Sequence, residues 1–279
     1  MTLNDIIRRL AACGIESAAD EARLLSAHVT GLDPSLLRAI PDTPLPDPDG
    51  RLASLVSRRT SREPLQYLIG TWGFWRQEYE VSPDCLVPRP DTETLVEYAA
   101  KALPQGARVL DLCTGSGCVA ISLLLERPDL TGVAVELYPN TLAVARRNAA
   151  RNGVPDDRLT LLQGDVLRGD FLTGLGSFDA ILSNPPYIPT ADVATLAPEL
   201  AFEPKAALDG GEDGLVFYRR MLESDYRAAL RENGFFAFEI GYDQGDALCA
   251  LAGEDPCDIL RDLGGCDRVA VIRPSHILE

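Results

Sequence analysis

From Asp91 onward, short and continuously apolar runs alternate with segments of helical periodicity, and this alternation constrains the fold more than any other feature. A helix is expected over about 92–103, followed by RVLDLC (108–113), a helix from 118, TGVAVE (131–136) and a helix over about 140–152. LTLLQGD (159–165) and FDAILSN (178–184) continue the series. After a long loop come a helix over 215–232, the strand GFFAFEI (234–240), a helix over 243–253 and strands near 257–262 and 267–273. Runs that are apolar on both faces and separated by helices predict a parallel sheet covered on both sides. The last two strands are joined through LGGCD, close enough for an antiparallel pair. The expected class is α/β, a doubly wound sheet with an antiparallel last strand.

The first 65 residues read differently. Asn4 is expected to cap one helix, Ser17 a second, Asp33-Pro34 to open a third and Asp47-Pro48 a fourth through about Arg59. Leu3, Ile6, Ile7 and Leu10 share one face, as do Ala22, Leu25 and Val29. LQYLIGTWGFWRQEYEVSPDCLVPRP (65–90) then suggests a hairpin around Gly70 and Gly73, with Pro83, Pro88 and Pro90 marking a connector. The expected domains are a helical unit over 1–70, a hairpin and linker over 71–90, and an α/β domain over 91–279.

The charge balance narrows the function. Net charge is −16, and residues 191–279 alone hold 18 acids against 8 bases. A protein that grips a nucleic-acid backbone shows a basic face, so the balance leans against nucleic acid as a direct partner. No run approaches 18 uninterrupted apolar residues, and the N-terminus reads as an amphipathic helix, not a signal peptide. Seven cysteines without a C-x-x-C pair read as reduced thiols of a cytoplasmic protein, expected to be a monomer. With only His28 and His276 beside them, no metal site is expected.

In an open parallel sheet, ligands sit beyond the carboxyl ends of the strands. The unusual residues fall there. DLCTGSG (111–117) ends the first strand, and Thr114-Gly115-Ser116-Gly117 allows a tight turn and close approach by a ligand. The dinucleotide fingerprint is absent: Ala120 stands where its third Gly would be, and Cys113 where the first of a G-x-G-x-G would be. Glu136 ends the second strand, placed to accept both hydroxyls of a ribose, and Asp165 ends the third, placed to steer a base. Asp111 and Glu136 together suit a positively charged ligand such as a sulfonium better than a pyrophosphate.

SNPPYI (183–188) ends the fourth strand on an amide and a rigid Pro-Pro step. An amide or aryl-amine nitrogen is a poor nucleophile because its lone pair is delocalised. Two fixed acceptors that hold its N–H bonds would aim that lone pair. The Asn184 side-chain oxygen and the Pro185 carbonyl are candidates, with Pro185 and Pro186 keeping their spacing and Tyr187 offering a stacking face. S-adenosyl-L-methionine carries both a sulfonium and a transferable methyl, so methyl transfer to such a nitrogen accounts for the two motifs.

DLCTGSG, VAVELYP, LLQGD and LSNPPYI, in this order, resemble a Rossmann-like class I S-adenosylmethionine-dependent methyltransferase. REPLQYLIG (62–70), VPRPDTETLVE (87–97) and LAPELAFEPKAALDGGEDGLVFYRR (196–220) resemble the PrmC/HemK family more specifically. The resemblance implies transfer of a methyl group to the N5 nitrogen of the GGQ glutamine in class-1 peptide chain release factors, leaving S-adenosyl-L-homocysteine. It implies a cofactor loop over Cys113, Thr114, Gly115, Ser116 and Gly117, a ribose acid at Glu136, and base contacts at Asp165 and Val166. It also implies a substrate clamp of Asn184, Pro185, Pro186 and Tyr187, with Asn184 touching the cofactor too. The family commonly has Gly at the position of Cys113 and Asp at that of Glu136. Cys113 is acceptable there if its φ is negative. Arg89 is a candidate partner for Glu93, for the cofactor carboxylate, or for neither, and FEPKAALDGGEDG (202–214) reads as a flexible loop that closes over the target.

Other readings use the same residues. An N6-adenine nucleic-acid methyltransferase would share the NPPY geometry but needs a basic groove and a base-flipping pocket. A nucleotide-binding module without activity would leave NPPY without purpose. A small-molecule amine methyltransferase would not need an added helical domain.

Overall fold

The computed structural model describes residues 1–275, so His276 lies outside the described residues. Two compact units are found: Met1–Thr71 with Ala197–Phe202, and Trp72–Leu196 with Glu203 onward.

The first unit is helical: α1 (Leu3–Ala12), α2 (Ala18–Thr30), α3 (Pro34–Ala39), α4 (Arg51–Thr60) and α5 (Leu65–Ile69). Thr2, not Asn4, caps α1: its hydroxyl accepts from Asp5 N while the Asp5 carboxylate accepts from Thr2 N. Asn4 instead ties to the turn before α4, its backbone N–H donating to Pro41 O. Ser17 precedes α2 but makes no capping bond, whereas Asp33 caps α3 with Pro34 in its first turn. Asp47 accepts from Leu52 N and Ala53 N, so it satisfies two early donors of α4 from outside the helix. Leu3, Ile6, Leu10, Ala22 and Leu25 are buried, while Ile7 and Val29 are half-buried. The segment Ala197–Phe202 joins this unit through Glu199, which meets Arg59 at 3.0 Å and Arg62 at 2.8 Å. Arg59 is buried and also meets Glu21 at 2.5 Å. Removing one partner from such a buried set costs about 3–5 kcal/mol.

In the second unit a hairpin of β1 (Thr71–Phe74) and β2 (Gln77–Glu80) turns at Trp75, whose φ is +56°. Tyr79 of β2 is buried, and its hydroxyl lies 2.5 Å from Ser122 Oγ on α7 (Cys118–Glu126). The hairpin from Trp72 therefore packs as part of the sheet-bearing unit. After α6 (Glu93–Ala102), strands and helices alternate: β3 (Arg108–Leu112), α7, β4 (Thr131–Glu136), α8 (Pro139–Arg151), β5 (Leu159–Gln163) and β6 (Phe178–Ser183). Then follow α9 (Val216–Met221), α10 (Ser224–Ala228), β7 (Leu230–Glu239), α11 (Gly245–Ala252), β8 (Cys257–Arg261) and β9 (Asp267–Ile272). The sheet order is β5-β4-β3-β6-β7-β9-β8; β3 through β7 run parallel, and β9 is antiparallel to both neighbours. The doubly wound sheet with an antiparallel last strand is thus observed.

Both faces of the sheet are dry. Val109, Ala134, Ala180, Leu182, Ala237 and Val271 pack into one apolar cluster, while Leu110, Val135, Ile181, Phe236, Phe238 and Ile272 pack into the other. This alternation around continuously apolar strands is what a sheet sandwiched by helices requires.

The segment expected as one helix over 215–232 breaks. Glu223 is extended between α9 and α10, and the chain is already strand at Leu230. Phe178 N donates to Ala229 O and pairs with Leu230, then the register slips before Ala180 meets Phe235. Asn233 takes the slip with a φ of +63°. Pairing with β6 outweighs the local helical preference. The seven thiols are not all separate either: Cys249 and Cys257 form a disulfide, their Cα atoms 5.4 Å apart. Among the described residues no helix is long and apolar enough to cross a membrane.

Candidate active site

β3 touches both β4 and β6, so the chain reverses its direction of sheet growth there. A crevice must open where successive connections leave to opposite faces. The structure has a cavity of about 550 Å³ at that place, a size ordinary for a small-molecule site. Its floor comes from the strand ends: Asp111, Cys113 to Ser116, Glu136, Asp165, Val166 and Asn184. Gly117, Pro185 and Tyr187 do not line it.

The loop after β3 is shaped by backbone demands. Gly115 has φ +57°, and a Cβ there would face open space; Gly117 has φ +82°, and a Cβ would press on Ile121 and Ala145. Gly117 therefore serves helix packing and Gly115 the approach to the cavity. Cys113 has φ +57°, so the condition under which a Cys is acceptable here, a negative φ, is not met. The left-handed region costs an L-residue about 1–2 kcal/mol, so Cys113 carries the strain that a Gly would avoid. Asn148 of α8, fully buried, donates to Ser116 O at 2.9 Å and to Glu80 O at 3.0 Å, and so ties this loop to the hairpin.

Two acids set the electrostatics. Burial pushes the Asp111 carboxyl up to about 7, with Glu136 adding repulsion, against the pull of the Thr114 hydroxyl at 2.5 Å. Burial also raises Glu136, opposed by backbone donors: Tyr138 N at 3.1 Å and Gly115 N at 3.0 Å, one to each oxygen. Each oxygen keeps a lone pair for a ligand hydroxyl. Asp165 accepts from Leu167 N at 2.9 Å. Val166 is buried, with its carbonyl held by the Tyr226 hydroxyl at 2.8 Å.

Asn184 follows β6. Its Nδ2 donates to Thr92 Oγ1 at 3.2 Å, and its Oδ1 has no hydrogen-bond partner among the described residues. Pro185 and Pro186 are buried. Tyr187 is packed against the core on one sheet face, and burial pushes its hydroxyl up to about 12. The expected open stacking face is thereby reduced to what the half-buried ring leaves uncovered. The segment read as a closing loop is hydrogen-bonded to the backbone that follows NPPY. Ile188 N donates to Leu208 O, Gly210 N to Ile188 O and Thr190 N to Gly211 O, each within 3.0 Å. Gln244 Nε2 donates to Tyr187 O at 3.0 Å. A Cβ on Gly210 would sit 2.7 Å from Tyr187 Cα and 2.8 Å from Pro186 O. Gly210→Ala is therefore expected to displace the NPPY backbone and cut turnover about 100-fold, since small misplacements of reacting groups cost that much. Turnover assays on the folded variant check this.

Arg89 lines the cavity and does not pair with Glu93. Its guanidinium meets the buried Glu203, which also accepts from Val87 N at 3.0 Å. Glu93 accepts from Trp75 N at 2.6 Å. Among the described residues, no group of three or more His, Cys, Asp or Glu could hold a metal ion. Thr92, Asn148, Glu203, Gln244 and Glu239 are supports that strand-end reasoning missed. A polar residue inside an otherwise apolar run, as in FFAFEI, was the one signal for Glu239.

The PrmC N-terminal domain family matches residues 2–70, and the methyltransferase small domain family matches residues 90–233. A release factor glutamine methyltransferase of Cereibacter sphaeroides is 43% identical over 276 residues, covering 97% of this chain and 96% of the relative. One from Rhodospirillum rubrum is 41% identical over 272 residues, covering 95% and 82%. A solved methyltransferase of Pyrococcus furiosus shares the fold, with a TM-score of 0.51 at 20% identity, covering 80% of this chain and 98% of that one.

Proposed function

The chain belongs to the release factor glutamine methyltransferase family, and from that premise we propose that Asn184 clamps the side-chain amide of a release-factor glutamine for methylation at N5. The single observation that carries this reading is Asn184 at the cavity wall, its nitrogen engaged by Thr92 and its oxygen free.

The cavity fits S-adenosyl-L-methionine. Its volume, the open face at Gly115, the two acids and the apolar Val166 and Leu167 match a ligand with a base, a ribose and a cation. Bound there, the cofactor supplies an electrophilic methyl on a sulfonium and leaves as S-adenosyl-L-homocysteine. Glu136 accepts the ribose hydroxyls. Asp165 and Val166 border the base. Asp111, poised near neutrality, becomes a full carboxylate beside a cation and stabilises it.

Asn184 Oδ1 accepts one N–H of the target amide, and the carbonyl of Pro185, which is outside the cavity lining, is the proposed acceptor for the other; together they would draw the nitrogen out of conjugation. As the N–C bond forms and the S–C bond breaks, positive charge develops on nitrogen, and the same two acceptors stabilise it. The extra proton leaves to solvent after transfer, so no strong base is required. The target is the glutamine of the GGQ motif, in a class-1 peptide chain release factor, and the helical unit with its helices α1 to α5 is the part proposed to receive that protein.

The test is to incubate the protein with methyl-labelled S-adenosyl-L-methionine and a class-1 release factor. A factor whose GGQ glutamine is changed to alanine and a DNA duplex are run beside it. Label on the unaltered factor alone is expected. Label on DNA would move the adenine reading to first place.

A further inference from the structure

Among the described residues, Glu239 is the one buried acid of the central sheet that the chemistry above does not use. It ends β7, is 2% exposed, and its Oε2 has no hydrogen-bond partner among the described residues. Burying such a group is costly, and an unpartnered one calls for a reason. Its neighbour supplies one: the Thr92 hydroxyl, the same group that accepts from Asn184 Nδ2 at 3.2 Å, lies beside the Glu239 carboxyl and favours its charged form.

A hydroxyl has one proton to give. When Glu239 is ionised it can only accept, so the Thr92 proton turns to it, and the Thr92 oxygen presents lone pairs to Asn184. The amide must then point its nitrogen at Thr92 and its oxygen into the cavity. When Glu239 is protonated it can donate to Thr92, whose own proton is freed to seek the Asn184 oxygen. The amide is then equally content with its ends exchanged, presenting N–H groups to a target that itself has only N–H groups to offer.

We propose that Thr92 and Glu239 are positioning residues that set the orientation of the Asn184 amide, with ionised Glu239 selecting the orientation that accepts from the substrate. This rests on the clamp role given to Asn184 above. Burial pushes the Glu239 carboxyl up to about 7, against the hydrogen bond from Thr92 and the charges of Arg268 and Arg89, with Asp91 adding to the rise. Tyr187, Cys118 of α7 and Tyr218 of α9 also face it, and the Tyr218 hydroxyl is bound to Glu239 O at 2.7 Å. All three stay neutral near pH 7, each raised by burial, so Glu239 is the group that titrates there.

The sign follows. The active form is the carboxylate, so the transfer rate rises with pH through about 7 and falls below it to a plateau. Asp111 titrates in the same range only in the free protein; at saturating cofactor the adjoining cation keeps it ionised, and the rate profile reads Glu239.

Single-turnover methylation of a release factor at saturating labelled S-adenosyl-L-methionine tests this, with cofactor dissociation constants measured beside it. Thr92→Val should slow transfer about tenfold, the worth of one hydrogen bond in the transition state, with cofactor affinity unchanged. Thr92→Ser should restore most of the loss. Glu239→Gln should flatten the profile between pH 6 and 8. Wild-type rates in Thr92→Val, or an ascending limb that persists in Glu239→Gln, would overturn the proposal. If Glu239→Gln does not fold, the Val and Ser pair at position 92 decides alone. Asn184→Ala is run in the same series. If it transfers at the wild-type rate, the clamp itself is wrong; if it is slow while Thr92→Val is not, only the positioning role fails.

Discussion

Asn184→Ala is expected to slow methyl transfer to a release factor by about 10²–10³-fold while leaving the cofactor dissociation constant within about threefold of the wild type. The magnitude is that of removing one preorganised hydrogen-bonding group aimed at developing charge. The asymmetry comes from the geometry. Asn184 is one lining residue of the cavity, whereas the rest of its floor comes from Asp111, the loop at Cys113–Ser116, Glu136, Asp165 and Val166. Truncation at Cβ leaves that floor in place. The NPPY backbone stays fixed by its bonds to Leu208, Gly210 and Gly211 and by Gln244. Single-turnover rates and equilibrium binding of S-adenosyl-L-homocysteine separate the two effects. A large loss of cofactor affinity with unchanged transfer would contradict the assignment.

What made this site readable in the sequence was contrast. Asp111, Glu136 and Asn184 each follow an apolar run that can only be a buried strand, so a polar residue at its end has to face something. The strands themselves were equally legible, because a parallel sheet buries both faces and leaves no alternation to misread. What failed depended on partners distant in sequence. Leu230 is a strand residue because Phe178, far earlier in the chain, pairs with it. Thr92 lies next to Asn184 only after the turn before α6 folds over the end of β6. Asn148 reaches back to Ser116 and Glu80, and nothing in LAVARRNAAR marks it as different from a surface amide. The φ of Cys113 was open for another reason: residue type does not fix it, and the loop imposes a left-handed one. Backbone strain is set by the closure of the whole turn.

Glu136→Ala should reverse the pattern of Asn184→Ala, weakening cofactor binding by about 10²–10³-fold and changing transfer at saturation far less. A hydrogen bond to a charged group contributes about 1.5–3 kcal/mol. The carboxylate offers two to a ribose diol, so the lower end of that range already gives a loss of about 100-fold. The residue also holds the loop from within. Gly115 N and Tyr138 N each donate to one of its oxygens, and alanine would leave both unsatisfied in a half-buried site. Glu136→Gln separates the two contributions. It keeps the length and one acceptor oxygen, but its amide nitrogen would confront Gly115 N or Tyr138 N as a second donor. It should therefore fall between wild type and alanine in affinity. Glu136→Asp, the residue commonly found at this position in the resembling family, keeps the charge and shortens the reach by one methylene. If it binds nearly as well as the wild type, the carboxylate itself is what the ribose needs. Calorimetric titration with S-adenosyl-L-homocysteine measures all three. An unchanged dissociation constant in Glu136→Ala would remove the ribose assignment. A loss in Glu136→Ala that Glu136→Gln fully restores would leave the residue a scaffold for the Gly115 turn and nothing more.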